Sequence, residues 1–298
     1  MTPDRRTEIA ADPRRATYAP GTSIEIVSAL PAGSHFTDAV FDFDGTLSTL
    51  REGWEGIMEP MMIRAILGES AADRALVEEV TREVREYIDR TTGVQTLVQM
   101  QGLAELVRRY GRVPESAILD PHGYKRLYND VLLSRVNARL ERMRSGEMSA
   151  DDFMVAGGLP LVESLRARGL RLCLASGTDQ QDVEREADVL GYGAFFAGRV
   201  YGATGDVSRE AKQIVLERIL SAIGDGAVLT FGDGPVEIRE TRKRGGYTVG
   251  VASDEVRRRG LNLRKRRRLI EAGADIVVPD FCEWEKLIAL LFSERSPR

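Results

Sequence analysis

Histidine, cysteine and long apolar runs are scarce in this sequence of 298 residues, and each scarcity excludes a class of protein. His35 and His122 are the two histidines, and neither lies near a nucleophile motif. Catalysis by a histidine pair or by a histidine-activated nucleophile is therefore not expected. Cys173 and Cys282 lie far apart in apolar surroundings, which predicts reduced core residues without disulfide or metal spacing. No apolar stretch approaches the roughly 20 residues of a membrane span, and the N-terminus has no signal-peptide pattern. We therefore expect a cytoplasmic protein with no membrane partner.

Several common enzyme motifs are also missing. The sequence contains no Gly-x-Ser-x-Gly, no P-loop and no Gly-x-Gly-x-x-Gly. The composition is otherwise ordinary, with 43% hydrophobic and 30% charged residues and a formal net charge of -4. This composition is sufficient for a sizeable core, and the negative net charge argues against an overall nucleic-acid binder.

The hexapeptide at residues 42–47, Asp-Phe-Asp-Gly-Thr-Leu, carries the most chemical information. It follows an apolar run at residues 39–41, a pattern that predicts a buried strand breaking into a loop at Gly45. Strand alternation would place Asp42 and Asp44 on one face, where two close carboxylates require a cation or a shared proton. Such a pair suits phosphoryl transfer. One carboxylate attacks the phosphorus atom, a metal ion offsets the negative charge, and the second carboxylate transfers a proton. The alternative is a strand followed by an ordinary Asp-Gly turn.

The rest of the chain predicts an α/β fold with an all-helical insertion. Residues 1–36 predict a loosely held N-terminal arm with a possible edge strand at 23–30. Residues 37–49 and 154–298 alternate strands with helices, including a short strand at 195–201 and a helix at 210–223. Residues 50–153 show helical periodicity and few strand signals. We therefore predict a Rossmann-like parallel sheet, covered on both faces and interrupted after its first strand by a helical domain.

Ligands of such sheets bind outside the carboxyl ends of the strands, and three of the predicted strand ends carry suitable side chains. The first strand ends in the Asp42 and Asp44 pair. The strand at residues 170–175 is followed by Ser176 and Gly177, and the strand at 227–231 by Asp233. Glu237 lies one helical turn after Asp233, and Lys212 lies near the start of the preceding helix.

In order and spacing, these stretches resemble the four motifs of the haloacid dehalogenase superfamily. The motif from Asp42 to Thr46 is similar to the first, Ser176 to the second and Lys212 to the third. Gly232-Asp-Gly with Glu237 is similar to the fourth, and Glu237 stands where many members have Asp, so it could ligate a metal directly or through water. The resemblance covers residues from about 37 to 290 and identifies the helical insertion, residues 50–153, as a cap.

The resemblance implies a Mg²⁺-dependent phosphatase in which Asp42 carries a transient aspartyl phosphate and Asp44 moves protons. An acid at position 44 distinguishes the phosphatases and phosphomutases from the dehalogenases. The implied phosphoryl-binding groups are the Ser176 hydroxyl, the Gly177 amide and Lys212. The implied metal ligands are Asp42, the Asp44 backbone carbonyl, Asp233 and Glu237.

The substrate is expected to be a small phosphorylated metabolite such as a sugar phosphate, because amide and guanidinium groups lie near the predicted hinge and in the cap turns. The candidate substrate-binding residues are Thr46, Gly177, Arg51, Trp54, Gln95 and Gln99. Two alternatives remain open: a phosphomutase of the beta-phosphoglucomutase type, which would share the core residues, and a protein that binds nucleic acid or another anionic partner. The second rests on two basic runs, residues 257–259 and 264–268, in which leucine and isoleucine are interleaved.

Overall fold

A computed structural model of the protein describes residues 5–31, 34–68, 73–204, 216–217, 219–222 and 228–292. Its centre is a seven-stranded sheet formed by β1 (Glu25–Ile26), β2 (Asp38–Phe41), β3 (Arg171–Asp179), β4 (Val200–Ala203), β5 (Val228–Gly232), β6 (Tyr247–Val251) and β7 (Ile276–Val278). The strand order is β1-β7-β6-β5-β2-β3-β4; β1 pairs antiparallel with β7 and every other pair is parallel. The predicted parallel α/β sheet is thereby confirmed.

The middle of this sheet is apolar on both faces, as expected of parallel strands covered by helices. All residues of β2, β5 and β6 are buried. In the ladder, Phe41 at the end of β2 is aligned with Leu174 of β3 and Phe231 of β5. The Phe41 and Phe231 rings stack with centroids 4.5 Å apart. This register brings the residues that follow β2 and β5, and the last residues of β3, to one edge of the sheet.

Within the described ranges, eleven complete α-helices surround or interrupt the sheet. In chain order they are α1 (Arg5–Ala11), α2 (Glu55–Leu67), α3 (Arg74–Arg90), α4 (Thr96–Tyr110), α5 (Pro121–Arg144), α6 (Gly158–Ala167), α7 (Gln180–Val189), α8 (Gly193–Phe196), α9 (Pro235–Lys243), α10 (Leu263–Ala272) and α11 (Trp284–Phe292). None of the helices in the part of the chain that the structure describes is long and apolar enough to span a bilayer.

Helices α2 to α5 lie between β2 and β3 and pack mainly on one another. Their shared interior contains Met58 and Met62 from α2, Val84 from α3, Leu103 from α4 and Val136 from α5, all of them buried. The methionines therefore fill a core, which suits their flexible side chains. We retain residues 50–153 as the proposed bounds of this cap.

The N-terminal segment is held more firmly than the sequence suggested. Residues 5–11 form α1, whose Ile9 and Ala10 are buried against α10. Arg266 of α10 forms a bidentate ion pair with Glu25 of β1 and also donates to the backbone oxygen of Ile9 at 2.9 Å. The expectation of a loosely held arm is therefore wrong for residues 5–11, because two buried apolar side chains and the contact with Arg266 anchor them. The edge strand expected at 23–30 is present as β1, Glu25–Ile26.

Two local boundaries also differ from expectation. Residues 193–196 form helix α8, and the strand predicted at 195–201 begins only at Val200, because Ala197 and Gly198 adopt positive φ (48° and 77°) and reverse the chain. Strand β3 continues to Asp179, with an irregularity in pairing between Ala175 and Asp179. In the helix predicted at 210–223, residues 216–217 and 219–222 are helical, and the other positions lie outside the described residues.

Candidate active site

The loop that follows β2 is folded tightly around the backbone oxygen of Phe43, which accepts hydrogen bonds from the N–H groups of residues 46, 47 and 48. The Asp42 N–H donates to the Phe231 oxygen at 2.9 Å, so the backbone of Asp42 is anchored to β5. Gly45 has a φ of 76°, and an ideal Cβ on it would lie 2.3 Å from Oδ2 of Asp233. Glycine is therefore required here, because any side chain would displace the Asp233 carboxylate.

Three buried carboxylates meet at this edge of the sheet. Asp42, Asp233 and Glu237 each offer an oxygen, and these three oxygens lie within 4.8 Å of one another. Gly234 donates its N–H to Glu237 Oε1 at 2.8 Å, which fixes this side chain at the start of α9. Buried carboxylates at such spacing repel one another unless a cation lies between them, and hard oxygen ligands suit Mg²⁺. The donor set therefore fits a magnesium ion.

Asp44 is held beside this cluster by hydroxyl groups of β3. Thr178 Oγ1 donates to Asp44 Oδ2 at 2.8 Å, and Ser176 Oγ lies 3.4 Å from the same oxygen. Ser176 and Thr178 are two residues apart in a strand, so their side chains share a face. Arg51 Nε lies 3.9 Å from the other Asp44 oxygen. Asp44 is thus positioned by neutral donors and stands near one cation.

The positive charge of Arg51 is mostly balanced by carboxylates of α7. Its guanidinium donates to both oxygens of Glu186, at 3.1 and 2.7 Å, and lies 3.5 Å from Asp182. Burial alone would lower the pKa of Arg51, but Glu186 and Asp44 raise it above its ordinary value. Burial raises the pKa of Glu186, whereas the Arg51 charge opposes that rise. Arg51 and Glu186 therefore form an ion pair within the site, in which Arg51 carries the proton.

Lys265 of α10 is a second buried cation in the site. Its ammonium lies 2.8 Å from Asp233 Oδ2, forms an ion pair with Glu255 and lies 3.4 Å from the Ser253 hydroxyl. Burial lowers the pKa of Lys265, but Asp233 and Glu255 together raise it above its ordinary value. Ser253 also donates to the Gly45 oxygen at 2.7 Å. Lys265 therefore supports the Asp233 carboxylate at Oδ2, the same oxygen that faces Gly45.

A cavity of about 110 Å³ opens in front of Asp42 and Asp44, between the core and the cap. The cap turn at residues 91–95 lies against the core, since an ideal Cβ on Gly93 would be 3.6 Å from the Gly234 Cα and one on Gly177 3.8 Å from the Gln95 Cα. Three ion pairs also join the cap to the core: Lys125 with Asp179, and Asp89 with both Arg264 and Arg268 of α10. The cavity lining consists of Asp42, Asp44, Arg51, Trp54, Met58, Thr92, Gly93, Val94, Thr96, Gln99, Tyr128, Leu132, Ser176, Gly177, Thr178 and Asp233.

Most site residues expected from the sequence meet at this cavity. Those that line it are Asp42, Asp44, Ser176, Gly177, Arg51, Trp54, Gln99 and Asp233, and Glu237 lies just behind Asp42 and Asp233. Thr46 and Gln95 are fully buried and are not among the lining residues, and their part in substrate binding stays a prediction. Lys212 lies outside the described residues.

Sequence reasoning missed several residues of the site, among them Thr178, Glu186, Glu255 and Lys265. Thr178 could have been found, because it is two positions beyond Ser176 in an extended segment. Lys265 belongs to the basic run at 264–268, where no local feature distinguishes it from its neighbours. In that run Arg266 is buried against Glu25, and the exposed Arg267 pairs with Glu271. Much of the positive charge of this run is therefore balanced by ion pairs within the protein.

Comparisons with known proteins agree with this geometry. The family model described as "Hydrolase: haloacid dehalogenase-like hydrolase" matches residues 39–241, which is more than half of the chain. Among solved structures, a predicted phosphatase from Clostridium acetobutylicum is similar with a TM-score of 0.55 and 15% identity, over 86% of this chain and 99% of that one. A predicted phosphoglycolate phosphatase from Haemophilus somnus 129pt has a TM-score of 0.56 and 14% identity, over 86% and 99%.

A beta-phosphoglucomutase from Clostridium difficile has a TM-score of 0.55 and 12% identity, over 86% of this chain and 97% of that one. Identities this low show a shared fold and leave the substrate open. A comparison with curated proteins finds no match.

Proposed function

Because the chain belongs to the haloacid dehalogenase-like hydrolase family, we propose that it is a Mg²⁺-dependent phosphatase that hydrolyses a small phosphomonoester, such as a sugar phosphate. One observation carries this proposal. The oxygens of Asp42, Asp233 and Glu237 lie within 4.8 Å of one another, with the carboxylate of Asp44 held at the same cavity by Thr178. This arrangement supplies a nucleophile, a metal-binding group and a separate acid–base group at one edge of the sheet.

In the first step, a carboxylate oxygen of Asp42 attacks the phosphorus atom of the ester. The bond between phosphorus and the alcohol oxygen breaks, and Asp44 in its acid form gives its proton to that oxygen. The products of this step are the free alcohol and a phosphorylated Asp42. The Thr178 hydroxyl orients Asp44 towards the leaving oxygen, because it donates to Oδ2 at 2.8 Å. Ser176 Oγ lies 3.4 Å from the same oxygen, which leaves its hydroxyl proton for the phosphoryl group.

In the second step, a water molecule attacks the phosphorus atom of the phosphorylated Asp42. Asp44, now a carboxylate, accepts the proton of that water, and the bond between phosphorus and the Asp42 oxygen breaks. Inorganic phosphate leaves and both aspartates return to their starting states. The cap contacts at Gly93 and Gly177 restrict the entry of additional water during this sequence.

The residues that would hold Mg²⁺ are Asp42, Asp233 and the backbone carbonyl of Asp44, with Glu237 as a direct or water-bridged ligand. When bound, the ion offsets the charge that accumulates on the phosphoryl oxygens. The Ser176 hydroxyl and the Gly177 amide are the proposed hydrogen-bond donors to these oxygens, and Lys212 is the proposed cation. Lys265 lies against Asp233 and already has two carboxylate partners, so its place is beside the metal ligands.

The test is phosphate release from a panel of sugar phosphates, nucleotides and p-nitrophenyl phosphate, with and without Mg²⁺. We expect release that stops on chelation and falls at least about a thousandfold in Asp42→Asn, because removal of the nucleophile leaves no route to the aspartyl phosphate. Equal release by wild type and Asp42→Asn would refute the mechanism. An isomerised sugar phosphate without net phosphate release would instead identify a phosphomutase.

A further inference from the structure

The part of the cavity that faces away from the carboxylates is where the alcohol portion of a substrate must lie, and its lining is mainly apolar or neutral. Trp54 and Met58 contribute apolar surface at the start of α2, and Tyr128 and Leu132 contribute it from α5. Burial raises the pKa of Tyr128 well above its ordinary value, so its hydroxyl is neutral. With a volume of about 110 Å³, the cavity is suited to a small group.

Among the described residues that line the cavity, Arg51 is the one cation, and its charge is already balanced. Glu186, which is fully buried, accepts hydrogen bonds from its Nε and Nη2, and Asp182 and Asp44 lie 3.5 and 3.9 Å away. Arg185 also lies 2.9 Å from Asp182 and 3.7 Å from Glu186, so two guanidinium groups share the carboxylates of α7. A substrate carboxylate that approached Arg51 would therefore meet a guanidinium whose charge Glu186 already neutralises.

The polar group of Gln99 also favours a neutral substrate. Its amide nitrogen donates to the backbone oxygen and to the hydroxyl of Thr91, both at 3.1 Å. The remaining hydrogen-bonding group of this side chain is the amide oxygen, which accepts hydrogen bonds. It can accept from a substrate hydroxyl, whereas it would repel a carboxylate oxygen.

We propose that the leaving group is a small uncharged alcohol with an apolar face, and that Glu186 excludes carboxylate-bearing phosphoesters by neutralising Arg51. The proposal rests on the phosphatase function proposed above and specifies its substrate class. Exclusion of the wrong substrate arises here from the cost of burying a carboxylate without an available cation, next to Glu186. Glu186 acts on specificity through Arg51 and is a positioning residue.

The experiment compares two esters that differ in charge and match in the number of heavy atoms: 2-phosphoglycolate and isobutyl phosphate, in which two methyl groups replace the carboxylate oxygens. For the wild type with Mg²⁺, we expect kcat/KM to be at least about tenfold higher for isobutyl phosphate. In Glu186→Gln, where the Arg51 charge becomes available, we expect this ratio to shift at least about tenfold towards phosphoglycolate, mainly through KM.

The double variant Arg51→Met/Glu186→Gln is the matched control, because it removes the pair and leaves no available charge; its preference should return to isobutyl phosphate. Equal or faster hydrolysis of phosphoglycolate by the wild type would overturn the inference while leaving the phosphatase function intact. This comparison of the two esters uses only the wild type, so it tests the substrate preference even if Glu186→Gln fails to fold. Absence of phosphate release from both esters and from the wider panel would refute the phosphatase function, and this inference with it.

Discussion

Replacement of Lys265 and Glu255 together should weaken Mg²⁺ binding without changing the net charge of the site. Lys265 lies 2.8 Å from one oxygen of Asp233, and both side chains are 12% exposed. That contact fixes how the Asp233 carboxylate is turned, while Glu255 balances the added charge. In Lys265→Met/Glu255→Gln the net charge is unchanged and only the support of Asp233 is lost.

Loss of a hydrogen-bonding partner behind a metal ligand typically costs 10- to 100-fold in metal affinity. We therefore expect the dissociation constant for Mg²⁺ to rise by about that factor, or about 1.4 to 2.7 kcal/mol. Calorimetric titration measures this change directly. The rise in unfolding midpoint with added Mg²⁺ gives a second measurement, because a ligand stabilises the folded state in proportion to the logarithm of its concentration over its dissociation constant.

A control pair on the same helix separates this effect from a general change in α10. Arg267 and Glu271 form an exposed ion pair, with side chains 66% and 47% exposed. Arg267→Met/Glu271→Gln should bind Mg²⁺ as the wild type does. If the Lys265/Glu255 variant is folded and its dissociation constant for Mg²⁺ is also unchanged, Lys265 has no role in holding Asp233.

Two further outcomes follow from single contacts. Arg266→Met should destabilise the protein by about 3 to 5 kcal/mol in urea unfolding, because it leaves Glu25 buried without its cation; Arg266→Met/Glu25→Gln should recover much of that loss, and a single variant as stable as wild type would contradict the buried pair. Thr178→Val should lower kcat about 10- to 100-fold, because Asp44 loses the hydrogen bond of 2.8 Å that orients it. Thr178→Ser retains the hydroxyl and should keep most of the rate, so equal losses in both variants would show that the methyl group and not the hydroxyl matters.

The parts of the site that could be predicted are those set by local patterns. Asp42, Asp44 and Asp233 follow apolar strands at glycine-containing turns, and parallel strands necessarily bring such ends to one edge. The same periodicity predicted a helical insertion after the first strand. In these cases the chemical group and the structural signal lie within a few residues of each other.

The parts that could not be predicted depend on contacts between distant segments. Arg51 was expected to meet the substrate, but its pairing with Glu186 is set across 135 residues by how α7 lies on the sheet. Lys265 and Arg266 are adjacent in sequence and both buried, yet one supports Asp233 and the other Glu25. Which residue of a basic helix faces which neighbour depends on the rotation of that helix in the fold, and charge alone does not encode it.

Arg268 contacts both the cap and the loop that carries Asp233. Its guanidinium lies 3.4 Å from the cap carboxylate of Asp89 and 3.4 Å from the backbone oxygen of Asp233. The position of the cap and the position of the Asp233 loop therefore both depend on contacts with this one side chain. Any free energy that couples the two positions acts equally in both directions. If closure of the cap raised the affinity of the site for Mg²⁺ by some factor, bound Mg²⁺ would shift the equilibrium towards the closed cap by the same factor. The ion would then promote enclosure of the substrate in addition to its proposed part in the reaction.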